Sequence, residues 1–280
     1  MSAPGTRRQH APPDGASRIA VVGVVLVTLV LAACSDGRGV PDSSPVSATA
    51  VQSGLAYPWD IAFAPDGTMF VTQGDRADHA RQAQDLSSGI GKIVRIKSDG
   101  SIPTDNPFVS RSNARPEIWS YGHRNIQAAA IHPETGALWT VEHGARGGDE
   151  LNHPEAGKNY GWPVITYGRD YSGAKIGEGP LKEGMEQPVY YWDPVIAPSG
   201  MIFYTGDAFP GWKGSILVGG MTPGRLVRLT LRDGKVANEE QYLGELGERI
   251  RDIQQGSDGL LYVITDSSEG RVLRLSPARR

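Results

Sequence analysis

Three ordered segments hold most of the side chains that could do chemistry. Pro116–Gln127 (PEIWSYGHRNIQ) groups Arg124, Asn125 and Gln127. Glu142–Asn152 (EHGARGGDELN), followed by Gly157–Pro163 (GKNYGWP), pairs a glycine-rich turn with Asp149 and Glu150. Glu248–Ile253 (ERIRDI) carries Arg249 and Arg251, two apart, so on a strand both point to one face. Arginine forks donate two parallel hydrogen bonds and suit planar carboxylates. The bland alternatives are an exposed charged strand face for the second pair and an acidic turn without a metal at Asp149. His143 reads as a pocket wall, His132 as a turn residue and His123 as a loop-orienting residue. Trp162, Tyr160 and Trp192 read as core or pocket walls. The single cysteine, Cys34, excludes an intrachain disulfide and a cysteine-based zinc site.

Those segments need a scaffold, and the chain of 280 residues repeats one. Ile61–Thr72, Ala129–Thr140 and Ile253–Thr265 each run apolar strand, Pro/Asp/Gly-type turn, apolar strand ending in Thr. Such turns fit tight hairpins. A closing strand follows in Lys92–Ile96, Arg225–Leu229 and Arg271–Leu275, and a weaker copy runs from Pro198 to Leu229. The 36 Gly and 20 Pro suit short strands and many turns, and the 39 % hydrophobic residues supply a core. Repeated small antiparallel sheets are the signature of a β-propeller. The fold class is therefore all-β: four-stranded antiparallel blades over residues 53–278, with four blades recognisable, beginning near Trp59, Gln127, Pro198 and Arg251. A β-sandwich is the alternative. A net charge of -3 argues against nucleic acid as a partner.

Residues 1–33 read as a signal peptide: polar with Arg7, Arg8 and Arg18, then fifteen uncharged residues from Ile19 to Ala33. Leu31-Ala-Ala-Cys34 looks like a lipobox, which makes Cys34 the acylated residue and 34–52 a Ser/Pro/Gly-rich tether. The expected location is outside the cytoplasm, as a membrane-anchored lipoprotein facing the periplasm or cell exterior.

With Gly74-Asp75 and Ala197-Pro-Ser199, the three segments resemble, in order, the soluble quinoprotein glucose/sorbosone dehydrogenases, and within them the aldose sugar dehydrogenase branch. The resemblance covers Val51–Leu275. It implies a six-bladed propeller that binds pyrroloquinoline quinone (PQQ) with calcium, oxidises the C1 hydroxyl of aldose sugars to lactones, and passes electrons to an acceptor the sequence does not identify. Carried over residue by residue, it makes Arg124, Asn125, Gln127, Arg249 and Arg251 cofactor contacts, with Arg225 a weaker one or a solvated edge charge. It makes the carbonyls of Gly144 and Ala145 calcium ligands, although many relatives have proline at Ala145. Asp149 would support that loop or its ion. The family's base histidine has no counterpart. The sequence passes from first-blade to third-blade likeness near Gly67, about two blades being absent, which would leave Asp75 as the orphaned partner of that histidine. The alternative function is a non-catalytic ligand- or partner-binding propeller.

Overall fold

The computed structural model describes residues 58–277; Cys34, the apolar N-terminal run and the tether lie outside them. Among the described residues, fifteen strands form four antiparallel sheets, and the helical content is two short 3-10 turns, Ala80–Gln84 and Gly244–Leu246. The first sheet is β1 (Pro58–Phe63), β2 (Thr68–Gln73), β3 (Lys92–Lys97) and β4 (Ile118–Tyr121). The second is β5 (Ile126–Ile131), β6 (Leu138–Glu142), β7 (Asp149–Asn152) and β8 (Tyr190–Trp192). The third is β9 (Pro198–Phe203), β10 (Ile216–Gly220), β11 (Arg225–Arg232) and β12 (Lys235–Tyr242). The fourth is β13 (Ile250–Gln255), β14 (Leu261–Thr265) and β15 (Val272–Leu275). Each strand pairs with the next in sequence, the meander of a propeller blade. Among the described residues three sheets have four strands and the fourth has three. The segments read as closing strands are third strands, with β4 and β12 outside the first two of them.

The turn chemistry explains why the hairpins close. Asp66 Oδ1 accepts the Thr68 N–H at 2.9 Å and its hydroxyl at 2.7 Å, while Gly67 takes φ +80°. In the second sheet His132 Nδ1 takes the carboxylate's place, accepting from the Glu134 and Thr135 N–H groups. The Gly67 hairpin is regular: Ala64 N–H donates to Thr68 O at 2.8 Å, and Gly67 N–H to Ala64 O at 3.0 Å.

Strand alternation then builds a core at each junction. Ala62, Phe70 and Ile93 pack on Ile126 and Leu138. Ala128, Trp139, Val141 and Leu151 pack on Met201, Phe203, Ile216 and Val218. Leu217 and Leu226 point the other way, onto Ile250, Ile253, Leu261 and Val263. Both faces of the third sheet are thus buried, which is why β10 reads as an unbroken apolar run. Each such side chain contributes roughly 1.5–3 kcal/mol of burial free energy. The inner strands pack β1 on β5, β5 on β9 and β9 on β13, with no comparable packing of β13 on β1 among the described residues. Trp59, Ile61 and Phe63 on β1 stay exposed, as do Ile264 and Val272 on the fourth sheet.

Every inner strand also slips register near its start. The shifts fall between Pro58 and Asp60, between Ile126 and Ala128, between Ile250 and Asp252, and opposite Gly219 in the third sheet. Bulges of this kind re-aim the extra side chain.

Candidate functional site

The bulges place Trp59, Gln127, Ser199–Gly200 and Arg251 at equivalent positions on the four inner strands, and all of them line one cavity of about 660 Å³. Arg251 donates to Asp266 Oδ2 at 2.8 Å, and Arg249 Nε, just before β13, lies 2.8 Å from the same oxygen. The two arginines thus share one carboxylate. The hydrogen bond from Arg251 is the main cause that pulls the Asp266 carboxyl below its ordinary pKa.

Arg124, in the β4–β5 loop, is fixed from four sides. Its N–H donates to Glu142 Oε2 at 2.7 Å and its carbonyl accepts the Asp75 N–H at 2.6 Å. Its guanidinium donates to the His143 carbonyl at 3.0 Å and lies 5.2 Å over the Trp162 ring. Its Nε is buried without a partner. Asn125 accepts the His143 N–H on its carbonyl and the Gln127 amide on Oδ1, each at 3.0 Å. His143 stands between blades. Burial first, then the charges of Arg124 and Arg251, push its pKa down to about 4. Arg124 and His143 are thus joined, and Arg251 shares the cavity with Gln127. Arg225 does not join them, because its guanidinium packs against Gly244, where a Cβ would lie 2.3 Å from Nη1.

The Gly144–Gly148 turn follows directly. A Cβ on Gly144 would fall 2.2 Å from the Gly147 carbonyl oxygen, so the turn closes only around glycine. Asp149, fully buried, holds it: Oδ1 accepts the Gly144 N–H at 2.8 Å, and Oδ2 accepts Ile196 N–H at 2.9 Å and Ala197 N–H at 2.7 Å. Its carboxylate is thereby committed to supporting the loop. Asp75, without a histidine beside it in these bonds, has two other partners. Oδ1 accepts the Ala77 N–H at 3.0 Å and Oδ2 the Trp162 indole at 2.7 Å, the GWP loop supplying the partner.

One group of residues escaped sequence reasoning. Ser120 and His123, fully buried, lie 2.9 Å apart, and His123 Nδ1 lies 3.1 Å from Glu142 Oε1. Asn152 donates to Glu142 at 2.7 Å and to Glu150 at 3.1 Å. Burial opposes the Glu142 charge, but His123, the Arg124 N–H and Asn152 hold its pKa below the ordinary value. Glu150 has only the Asn152 amide; burial and then Glu142 push it up to about 8. The available signal was polar residues at i, i+2 on two neighbouring strands: Thr140 and Glu142, Glu150 and Asn152.

Comparison with known proteins identifies the family. The profile described as Glucose / Sorbosone dehydrogenase matches residues 31–274. The chain belongs to the glucose/sorbosone dehydrogenase family. Within it, the aldose sugar dehydrogenase YliI of Escherichia coli strain K12 is 46% identical over 219 residues, covering 78% of this chain and 59% of that protein. The quinoprotein glucose dehydrogenase B of Acinetobacter calcoaceticus is 27% identical over 281 residues, covering 74% of this chain and 58% of that protein. Among solved structures, the apo soluble aldose sugar dehydrogenase of Escherichia coli aligns with a TM-score of 0.75 at 45% identity, over 78% of this chain and 63% of that one. The PQQ-bound aldose sugar dehydrogenase of Streptomyces coelicolor aligns with a TM-score of 0.60 at 31% identity, over 77% and 60%. This family member thus spans about three fifths of the length of those relatives.

Proposed function

We propose that the chain binds PQQ and calcium at the mouth of its central cavity and acts on the C1 hydroxyl of aldose sugars, with turnover held low for want of the family's base histidine. The observation that carries this is that Gln127 and Arg251 line one cavity, and that Gln127 is linked through Asn125 to His143 and so to Arg124, beside the Gly144–Ala145 turn. The donor set fits the group: two arginine forks and the Asn125 and Gln127 amides suit a planar tricarboxylate, and the Arg124 Nε lacks a partner. When bound, PQQ supplies the acceptor for the hydride that leaves the sugar's C1.

The chain's own residues do the rest. Arg124 and Arg251 bind carboxylates, with Arg249 fixed beside Arg251 through Asp266. The Gly144 and Ala145 carbonyls hold calcium, which takes carbonyl oxygens readily, and Asp149 keeps the turn in shape. His143, kept neutral, walls the site. The electron acceptor is unassigned. Cys34, if acylated after signal cleavage, tethers the chain to a membrane outside the cytoplasm. A second reading, binding without turnover, is favoured by Asp75, whose two oxygens are occupied by Trp162 and Ala77 rather than left to orient a base.

Titration of the purified protein with PQQ, with and without calcium, followed by dye reduction with aldoses, separates the readings. Calcium-dependent uptake with turnover about 10²–10⁴-fold below that of a relative with the base is expected. No uptake overturns the proposal, and turnover at the relative's level overturns the missing base.

A further inference from the structure

We infer that Glu142 is a positioning residue for Arg124: its carboxylate, and not the arginine's own surroundings alone, sets where the cofactor-binding loop 122–125 sits. The inference rests on the proposed PQQ site for its functional meaning, but its geometry is independent of any ligand.

Glu142 ends β6, one strand in from the loop that it serves. It is buried, and it is the acceptor for three donors from two places: the Arg124 N–H and the His123 ring from the β4–β5 loop, and the Asn152 amide from β7. Two consecutive loop residues are thus tied to one carboxylate that the sheet holds rigid. His123 is clamped on its other side by Ser120 at 2.9 Å, and its ring stacks on Tyr160 at 4.8 Å. Ser120, His123 and Glu142 have the connectivity of a nucleophile, base and orienting acid. Their burial removes them from any substrate, so the arrangement can act only on the loop. From there the tie reaches the site, because the fixed Arg124 places its guanidinium on the His143 carbonyl and over Trp162. A one-residue displacement of Arg124 would break all of these contacts, and nothing else in the loop accepts its N–H.

Removing the acceptor leaves the Arg124 N–H and the His123 ring unpaired, while Asn152 keeps Glu150, and the loop relieves the two only by moving toward water. Glutamine retains one acceptor oxygen, and the His123 ring can exchange its proton between nitrogens to receive the new amide.

The experiment measures two quantities on the full chain: deuterium exchange of residues 122–127 in the apo protein, and PQQ affinity from quenching of tryptophan fluorescence. Glu142→Ala should raise both the exchange rate and the PQQ dissociation constant about tenfold or more. Glu142→Gln should stay within about threefold on both, which is the rescue. Val141→Ala, a buried neighbour on the same strand, serves as the control: it should lower the melting temperature without moving either quantity. If Glu142→Ala does not fold, Glu142→Asp keeps the charge but shortens its reach, and should give an intermediate loss of protection. Exchange in Glu142→Ala or Glu142→Asp no faster than in Val141→Ala overturns the inference. Wild-type protein that takes up no PQQ overturns the proposed function instead, and the exchange measurements still decide the role of Glu142.

Discussion

Asp149→Asn tests how the calcium-competent turn is held. The native carboxylate accepts the Gly144, Ile196 and Ala197 N–H groups at 2.8, 2.9 and 2.7 Å from a fully buried position. An asparagine in the same rotamer can turn its oxygen to the Ile196–Ala197 pair, which keeps two of the three bonds. Its amide then faces the Gly144 N–H, donor against donor. One unsatisfied buried donor costs about 1–3 kcal/mol. For a domain of this size each kcal/mol lowers Tm by about 2–4 °C, so a loss of roughly 4–8 °C is the central expectation. Asp149→Ala strands all three donors, and a loss of about 3–9 kcal/mol approaches the whole stability of an ordinary domain. Urea unfolding and a thermal scan in chelator supply the stability values. Calcium binding to the folded fraction of Asp149→Asn should weaken as well, because the Gly144 carbonyl moves with its N–H. An asparagine variant within about 1 °C of wild type would show that the neighbouring strands shape the turn unaided.

Two further outcomes are expected. Burial lowers the pKa of His153, which stacks on Trp139 at 5.2 Å. Below the unfolded value of about 6.5 the unfolded chain therefore binds more protons, so stability rises with pH through that window and is lost on acidification. His153→Phe should flatten the slope of unfolding free energy below about pH 6.5, and an unchanged slope refutes the assignment. Cys34→Ala should shift the protein from the membrane to the soluble fraction of cells; equal partition of both forms removes the lipobox reading.

Much of the scaffold could be read from the chain because local chemistry fixes it. Asp66, Gly67 and Thr68 carry their own turn, with acceptor, left-handed residue and donor in sequence. The third sheet was harder, since β10 is buried on both faces and so lacks the alternation that marks a half-buried strand. Strand β12 (KVANEEQY) is an outer strand whose polar residues leave almost no hydrophobic signal. At the site, Arg249 and Arg251 meet at Asp266 across a bulge, which a strict two-residue period does not encode. Arg225, read as a weaker contact or a solvated edge charge, turns to Gly244, a choice made by packing. The Glu142 cluster depends on which strands become neighbours, and the saturation of Asp75 depends on a tryptophan 87 residues away.

The junction cores have a consequence for how the molecule comes apart. Each of the three junction clusters belongs to one pair of adjacent sheets, so the domain behaves as a short linear array in which nearest-neighbour terms add. Interior members of such an array are clamped on two sides and its ends on one. The third sheet, buried on both faces, is the thermodynamic keystone. The first sheet, with Trp59, Ile61 and Phe63 facing water, is the natural place for fraying to begin. Denaturation should then run inward from the ends rather than as a single event, and the midpoint seen by a probe depends on the sheet that carries it.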